Sequence, residues 1–370
     1  MTAVFDAAAL ANRATSALRA YDPGHDLPAL RLRFGAVLSE LGSNENPLGP
    51  SPQATRAATR VLEDIWRYPD PLGAALKQRL AGELGISARS ITLGNGSHEL
   101  LMLLAQCFAD AEHPVVHSQY GFAVFPIAAA AAGAPAIRVP ALPADHPTAP
   151  YGHDLPAIAA AVTPATRLVY LANPNNPTGT WFTDAELEAF MAAVPVETLV
   201  VVDEAYHEYV DAAGLSTALH LLSRFPNLIV TRTFSKAYAL AGLRIGYMLS
   251  HPTVAAVAER LRESFNVNGV ALAAAEAALA DHEHRARVRD TNHRDRAWLA
   301  EELGARGFRV LPSQTNFLLV DLGQDAAAFE KHLFEHGVIV RPMGGYGLPH
   351  TVRISVGSRG ELQRLLENLP

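Results

Sequence analysis

The sequence predicts an α/β protein. A mostly parallel sheet with helices on both faces comes first, and a smaller α+β domain follows. Two observations carry this. Three apolar runs, Leu168-Val169-Tyr170-Leu171, Leu199-Val200-Val201-Val202 and Leu228-Ile229-Val230, recur about thirty residues apart, the length of a strand–helix–strand unit. Each is too apolar for a half-exposed strand and reads as a buried parallel one. Each also ends in a polar segment: Asn173-Pro174-Asn175-Asn176-Pro177-Thr178-Gly179, Asp203-Glu204-Ala205-Tyr206, and Thr231-Arg232-Thr233-Phe234-Ser235-Lys236. Polar groups gathered at the carboxyl edge of an open α/β sheet make a ligand site. From about residue 252 the texture changes to long helical stretches followed by short strands, which is the second domain.

Taken in order, residues 1–20 read as one amphipathic helix, broken at Tyr21-Asp22-Pro23-Gly24-His25. Residues 43–53 form a polar loop, and a helix follows to about Trp66. Arg67 to Gly73 is a turn, and Ala74 to Leu84 a helix. Ile91-Thr92-Leu93 is extended and leads through Gly94-Asn95-Gly96-Ser97-His98-Glu99 to a helix from Leu100. Strands are expected at 114–117 and 136–140, with a helix from Tyr120 to Ala132 between them. Helices at 183–193 and 215–224 separate the three apolar strands, and Ile245 to Leu249 adds another strand. Then come helices at 252–265 and 269–304, strands at 308–311 and 316–320, a helix at 325–336, and strands at 338–341 and 352–356. The expected division is 1–44, an N-terminal arm with part of the small domain; 45–265, the large domain; and 266–370, the small domain.

Composition removes several classes of function. A net charge of −7 without a basic stripe argues against a nucleic-acid partner. The single cysteine, Cys107, lies in an apolar helical run and reads as a core thiol, which excludes an internal disulfide framework. No run reaches the ~18 apolar residues of a membrane span. Asp6 and Arg13 interrupt any signal-peptide core, so the expected location is cytoplasmic. His282-Glu283-His284 sits among arginines and reads as a solvated helix face, and no metal site is expected.

Two segments carry chemistry. Gly94-Asn95-Gly96-Ser97 joins a strand to a helix, where backbone N–H groups and the helix dipole favour phosphate. It lacks the third glycine of a dinucleotide fingerprint and the Gly-Lys-Ser/Thr of a P-loop; alone, it reads first as an ordinary Ser-capped helix start. Lys236 ends a buried strand opposite Asp203, with hydroxyls at Thr233 and Ser235 and a second cation at Arg244. Such a lysine has a lowered pKa and suits a Schiff-base nucleophile. Together, a lysine, an acid for a ring nitrogen and a phosphate cradle describe a pyridoxal phosphate site.

Asn176-Pro177-Thr178-Gly179, Asp203-Glu204-Ala205-Tyr206, Ser235-Lys236 and Arg244-Ile245-Gly246 match, in order and spacing, the fold-type I pyridoxal-phosphate aminotransferases of class I/II, which the chain resembles over about 20–365. Tyr21-Asp22-Pro23-Gly24, Asn44 to Ser51, Tyr68-Pro69-Asp70, Gln314-Thr315-Asn316-Phe317 and Gly337 to Pro342 resemble the histidinol-phosphate branch. The segment His117 to Phe125 resembles a branch that takes aromatic donors. The resemblance implies that Lys236 bonds the cofactor and then shuttles the substrate proton. It implies that Asp203 pairs with the pyridine nitrogen, and that Asn176 and Tyr206 bond the ring oxygen. Tyr120 resembles the aromatic that stacks on the ring. Gly96, Ser97, His98, Thr233, Ser235 and Arg244 would hold the phosphate. His98 stands where the family has Asp or Asn. Tyr68 resembles a residue supplied by the partner subunit, implying a homodimer with shared sites. Arg353 resembles the arginine that grips the substrate anion, with Tyr21, Asn44 and Arg341 completing that pocket. The implied partners are a small-molecule amino donor and a 2-oxo acid. The implied exchange is between histidinol phosphate and 2-oxoglutarate, with an aromatic amino acid as the alternative donor. A decarboxylase or lyase, and a non-catalytic cofactor-sensing protein, share the frame.

Overall fold

The computed structural model describes residues 5–7, 10–16, 18 and 25–370. The expected first helix falls partly outside them; among the described residues it is one turn, α1 (Arg13–Ser16). α2 (Leu27–Phe34) follows, unforeseen, capped by Asp26, whose carboxylate accepts the Ala29 N–H. Then come β1 (Ser39–Glu40), α3 (Pro52–Val61), α4 (Ala74–Leu84), β2 (Ile91–Gly94), α5 (Ser97–Phe108), β3 (Val115–Ser118), α6 (Val124–Ala131) and β4 (Ala136–Val139). α7 (Leu155–Ala160), β5 (Leu168–Ala172), α8 (Asp184–Ala193), β6 (Leu199–Asp203), β7 (Leu228–Thr233), β8 (Gly246–Ser250) and α9 (Pro252–Leu261) complete the first sheet and its helices. The helix expected at 215–224 is only a short 3-10 segment, Ala218–Leu221.

Seven strands form one sheet in the order β2-β8-β7-β6-β5-β3-β4. All are parallel except β8, which runs against both its neighbours. Both faces are covered, as the apolar runs require. Val200 and Val202 enter the core on one face and Val201 the core on the other, all fully buried. Burying each such side chain is worth ~1.5–3 kcal/mol, so slipping the strand by one residue gains nothing. The reversed direction of β8 puts its first residue, Gly246, opposite both Thr233 and Gly94. One edge of the sheet therefore collects Gly94, Ala172, Asp203, Thr233 and Gly246.

α10 (Gly269–Ala280) and α11 (His282–Ala305) replace the single helix expected at 269–304. Asp281 divides them; its carboxylate accepts the His284 N–H at 3.1 Å and the Ser51 hydroxyl at 2.5 Å. Ala271, Ala274, Ala275, Ala278 and Leu279 of α10 lie in the core of the large sheet. The alanines give α10 no distinctive face, so only packing decides where it belongs. β9 (Arg309–Val310), β10 (Phe317–Asp321), α12 (Ala326–Glu335), β11 (Val338–Ile339), β12 (Arg341–Met343), β13 (Leu348–Ser355) and α13 (Arg359–Glu367) finish the chain. A four-stranded antiparallel sheet, β12-β13-β10-β9, forms the small domain, and β1 joins that domain by pairing with β11.

His284 corrects the expected solvated face. It is buried, and Nε2 lies 3.1 Å from the Gly49 carbonyl. Among the described residues no cluster of His, Cys, Asp or Glu is placed to hold a metal, and no helix is long and apolar enough to cross a membrane.

Candidate active site

A cavity of 1260 Å³ lies between the collecting edge of the large sheet and the small domain. Asp203, Asn176, Tyr206, Lys236, Arg244, Arg341 and Arg353 all line it. Asp203 ends β6 at its floor. The Thr231 hydroxyl donates to its Oδ1 at 2.7 Å. Burial pushes the carboxyl up to about 7, and neighbouring Glu204 adds to that, while the Thr231 hydrogen bond opposes it. Glu204 points away and forms a buried ion pair with Arg232, whose Nε and Nη2 donate to Oε2 at 2.9 and 2.8 Å. Adjacent acids thus serve opposite sides of one strand.

Lys236 follows β7. Its ammonium donates to the Ser43 carbonyl at 3.2 Å and lies 5.9 Å from the Tyr206 ring centroid. Burial brings the lysine down to about 8, with Arg353 and Arg244 adding to the effect against Glu45 and Glu40. Tyr206 is buried, and its hydroxyl accepts the Asn44 amide N–H at 3.0 Å. Asn44 takes a left-handed backbone, φ 57°, and is fixed at both ends by Ser355 Oγ, which accepts its N–H and donates to its Oδ1.

The anion cradle is built from three elements. α5 starts at Ser97 after Gly96, which supplies no side-chain cap, so the first N–H groups of a 12-residue helix face the cavity edge without one. Gly96 has φ 85°, and a Cβ there would come 2.9 Å from Arg244 Nη2. A Cβ on Gly246 would come within 2.8 Å of the backbone of Gly96, Ser97 and Arg232. Arg244, itself left-handed at φ 55°, donates to Ser235 Oγ at 3.4 Å and to the Asn95 and Ala241 carbonyls. The Thr233 hydroxyl donates to Ser235 Oγ at 2.9 Å. His98 also lines the cavity, and burial together with Arg244 pushes its imidazole pKa down, toward the neutral form. This combination of an uncapped helix start, hydroxyls and a guanidinium fits a phosphate, and the acid and lysine beside it fit a pyridine aldehyde.

The opposite wall carries the arginines. Arg341 on β12 and Arg353 on β13 are directly paired across antiparallel strands. Two cations side by side on one wall suit an anion. Arg353 is buried, with Nη1 donating to Asn176 Oδ1 and Nη2 to the Gly42 carbonyl, both at 2.6 Å.

Two expected residues are not brought in. Tyr120 is absent from the cavity wall, which Gly121 and Phe122 provide at that position. Its ring meets Tyr151 edge-on at 5.4 Å and packs on the small-domain cluster that contains Leu311 and Met343. The reason is that Asn175 Nδ2 holds the Tyr120 carbonyl at 2.9 Å and the apolar cluster takes the ring. Tyr68 is 83% exposed, stacked on Phe265 away from its own chain's cavity. Tyr21 lies outside the described residues. The sequence reading missed Glu40, Gly42, Ser43 and Ser355, which hold Lys236, Arg353 and Asn44. A carboxylate two residues before a glycine was the one available signal.

The profile of the aminotransferase class I and II family matches residues 37–369, and the chain belongs to that family. Among its relatives, histidinol-phosphate aminotransferase 1 of Nitrosococcus oceani is 49% identical, covering 97% of this chain and 96% of its own. Histidinol-phosphate aminotransferase 2 of Pseudomonas aeruginosa is 46% identical over 98% of both chains. The crystal structure of histidinol-phosphate aminotransferase from Sinorhizobium meliloti in complex with pyridoxal-5'-phosphate superposes with a TM-score of 0.87, at 36% identity, covering 96% of this chain and 95% of that one.

Proposed function

We propose that this chain uses pyridoxal phosphate to exchange an amino group between histidinol phosphate and 2-oxoglutarate, giving imidazole acetol phosphate and glutamate, a step of histidine biosynthesis. The observation that carries the reading is that one cavity is lined by Asp203, by Lys236, by Ser97, Ser235 and Arg244 of the cradle, and by Arg341 and Arg353. The names of the full-length relatives support the substrate.

Pyridoxal phosphate, when bound, supplies an electron sink for the carbanion formed at the substrate's Cα. The chain's residues then have defined tasks. Arg244, Ser235, Thr233, His98 and the backbone of Gly96 and Ser97 bind the phosphate. Asp203 keeps a proton on the pyridine nitrogen; a cation there restores the carboxylate that burial disfavours. Tyr206 accepts from Asn44 and so has its own proton to give to the ring oxygen, beside the Asn176 amide. Lys236, with its amine brought down to about 8, takes and returns the proton at Cα. Arg341, Arg353 and Asn44 hold the far anion, with Tyr21 assigned there by resemblance.

A homodimer belongs to this reading. Leu62, Ile65, Trp66, Tyr68 and Leu72 are each more than half exposed, an apolar face for a second copy, through which Tyr68 would reach the partner's phosphate cradle. The cytoplasm suits such a metabolic enzyme. Phe122 in the cavity wall favours a second reading, an aromatic amino acid as donor. Comparing kcat/KM for histidinol phosphate, histidinol and phenylalanine decides between them. Phenylalanine used as well as histidinol phosphate replaces the phosphate reading with the aromatic one. A single half-reaction that leaves no stoichiometric pyridoxamine phosphate sinks transamination and points to a decarboxylase or lyase.

A further inference from the structure

We propose that Glu40 is a positioning residue for amino transfer. Its carboxylate shapes the turn at Gly42 and Ser43, whose carbonyls grip the substrate-binding Arg353 and the catalytic Lys236. The inference rests on the aminotransferase site described above, and it does not depend on which amine is the donor.

Glu40 ends β1, the short strand that ties the N-terminal segment to the small domain. It lines the cavity, and both of its oxygens turn back onto the chain just ahead. Oε1 accepts the Gly42 N–H at 3.0 Å and the Ser43 hydroxyl at 3.2 Å, and Oε2 accepts the Ser43 N–H at 3.3 Å. Three donors on one carboxylate point the next two carbonyls outward. Gly42 O receives Arg353 Nη2 at 2.6 Å and Ser43 O receives Lys236 Nζ at 3.2 Å. The following residue is Asn44, which bonds Tyr206. The turn thus connects the anion anchor, the lysine and the ring-oxygen donor. A side chain at position 42 would crowd that carboxylate, since a Cβ on Gly42 would lie 3.1 Å from Glu40 Oε1.

A second feature marks the carboxylate as more than a turn residue. Burial and neighbouring Glu45 push Glu40 up, against the three hydrogen bonds, so the site keeps an acid where an apolar side chain is easier to bury. An acceptor oxygen that reaches the Gly42 N–H and the Ser43 hydroxyl is what the turn requires.

The test compares the holoenzyme with Glu40→Ala, Glu40→Asp and Glu40→Gln. It measures kcat and KM for glutamate, the Kd of the unreactive dicarboxylate maleate by calorimetry, and Tm. Aspartate is shorter by one C–C bond, about 1.5 Å, and cannot span the turn. Glu40→Ala and Glu40→Asp should raise both the glutamate KM and the maleate Kd about tenfold or more, as expected for losing hydrogen bonds to a charged group. Glutamine keeps one acceptor, which can take the Gly42 N–H, and should hold both values within about threefold of wild type. Unchanged KM and Kd in Glu40→Ala and Glu40→Asp overturn the proposal. So does a fall in kcat that vanishes once the rate is divided by the number of cofactor-loaded sites, and so does a Glu40→Gln enzyme as impaired as Glu40→Ala. If Glu40→Ala does not fold, the aspartate and glutamine variants carry the comparison. A wild type that fails to transaminate glutamate sinks the reaction assignment instead, and the maleate arm still decides the role of Glu40.

Discussion

Replacing Arg353 by alanine removes the cation that joins the small domain to the reacting centre. Its guanidinium is buried, spans Asn176 Oδ1 and the Gly42 carbonyl at 2.6 Å each, and lies 5.3 Å from the Phe317 ring centroid. Truncating a buried, charge-paired arginine costs ~2–5 kcal/mol. Here two charge-assisted hydrogen bonds go with it, each worth ~1.5–3 kcal/mol, which puts the expectation in the upper half of that range. At ~1.4 kcal/mol per decade, kcat/KM should fall roughly three-hundred- to several-thousand-fold. The loss should appear with histidinol phosphate and with glutamate alike, because both present an anion to the same wall. Arg353→Lys keeps the charge but not the two-armed fork and should recover part of the loss. A second readout is independent of turnover. Arg353 is one of the charges holding Lys236 near 8, so in the cofactor-free protein its removal should move the lysine upward. The pH at which an amine reagent half-maximally labels Lys236 measures that shift. Steady-state rates within about threefold of wild type for both donors would refute the reasoning.

Lys236→Ala should abolish turnover, and borohydride reduction should then fix no pyridoxyl group to the chain; a labelled peptide elsewhere in the wild type sinks the assignment of Lys236. Thr231→Val removes the hydroxyl that favours the Asp203 carboxylate, so Asp203 should be harder to ionise. The acid limb of the kcat/KM profile should move to higher pH, whereas an unmoved limb dissociates Asp203 from the reaction. Glu208 is pushed up to about 7 by burial. A carboxyl raised above its unfolded value of 4.5 binds more protons when folded, so its contribution to stability is present below that value and is lost as pH rises through 7. Glu208→Gln should therefore flatten the decline of Tm across that window, and an unchanged slope excludes Glu208 as its source. Gly246→Ala drives a methyl into the backbone of Gly96 and Ser97. It should weaken pyridoxal phosphate binding and lower Tm, and normal cofactor affinity would show that the cradle tolerates the displacement.

The sequence by itself determined the parallel sheet and what stands at its edge. Continuous apolar runs such as Leu199–Val202 have one stable home, between two covered faces, and the first polar residue after each must then emerge at the carboxyl edge. Asp203, Lys236, Asn176 and Arg244 were legible because strand period and spacing are local properties. Helix boundaries set by side-chain caps were less so: Asp281 splits one expected helix in two, and its effect depends on Ser51, 230 residues away in sequence. The tertiary structure alone decided the rest. The antiparallel course of β8 brings Gly246 against Gly96, and no local pattern encodes which strand lies beside β2. Tyr120 carries the right chemistry for the cavity, but a cluster from the small domain claims its ring. Glu40 and Ser355, 315 positions apart and unremarkable in their own segments, meet around one turn because β1 pairs with β11 and β13 closes over it. Contacts of that kind are chosen by packing between distant segments, and their energies exist only once the domains are assembled.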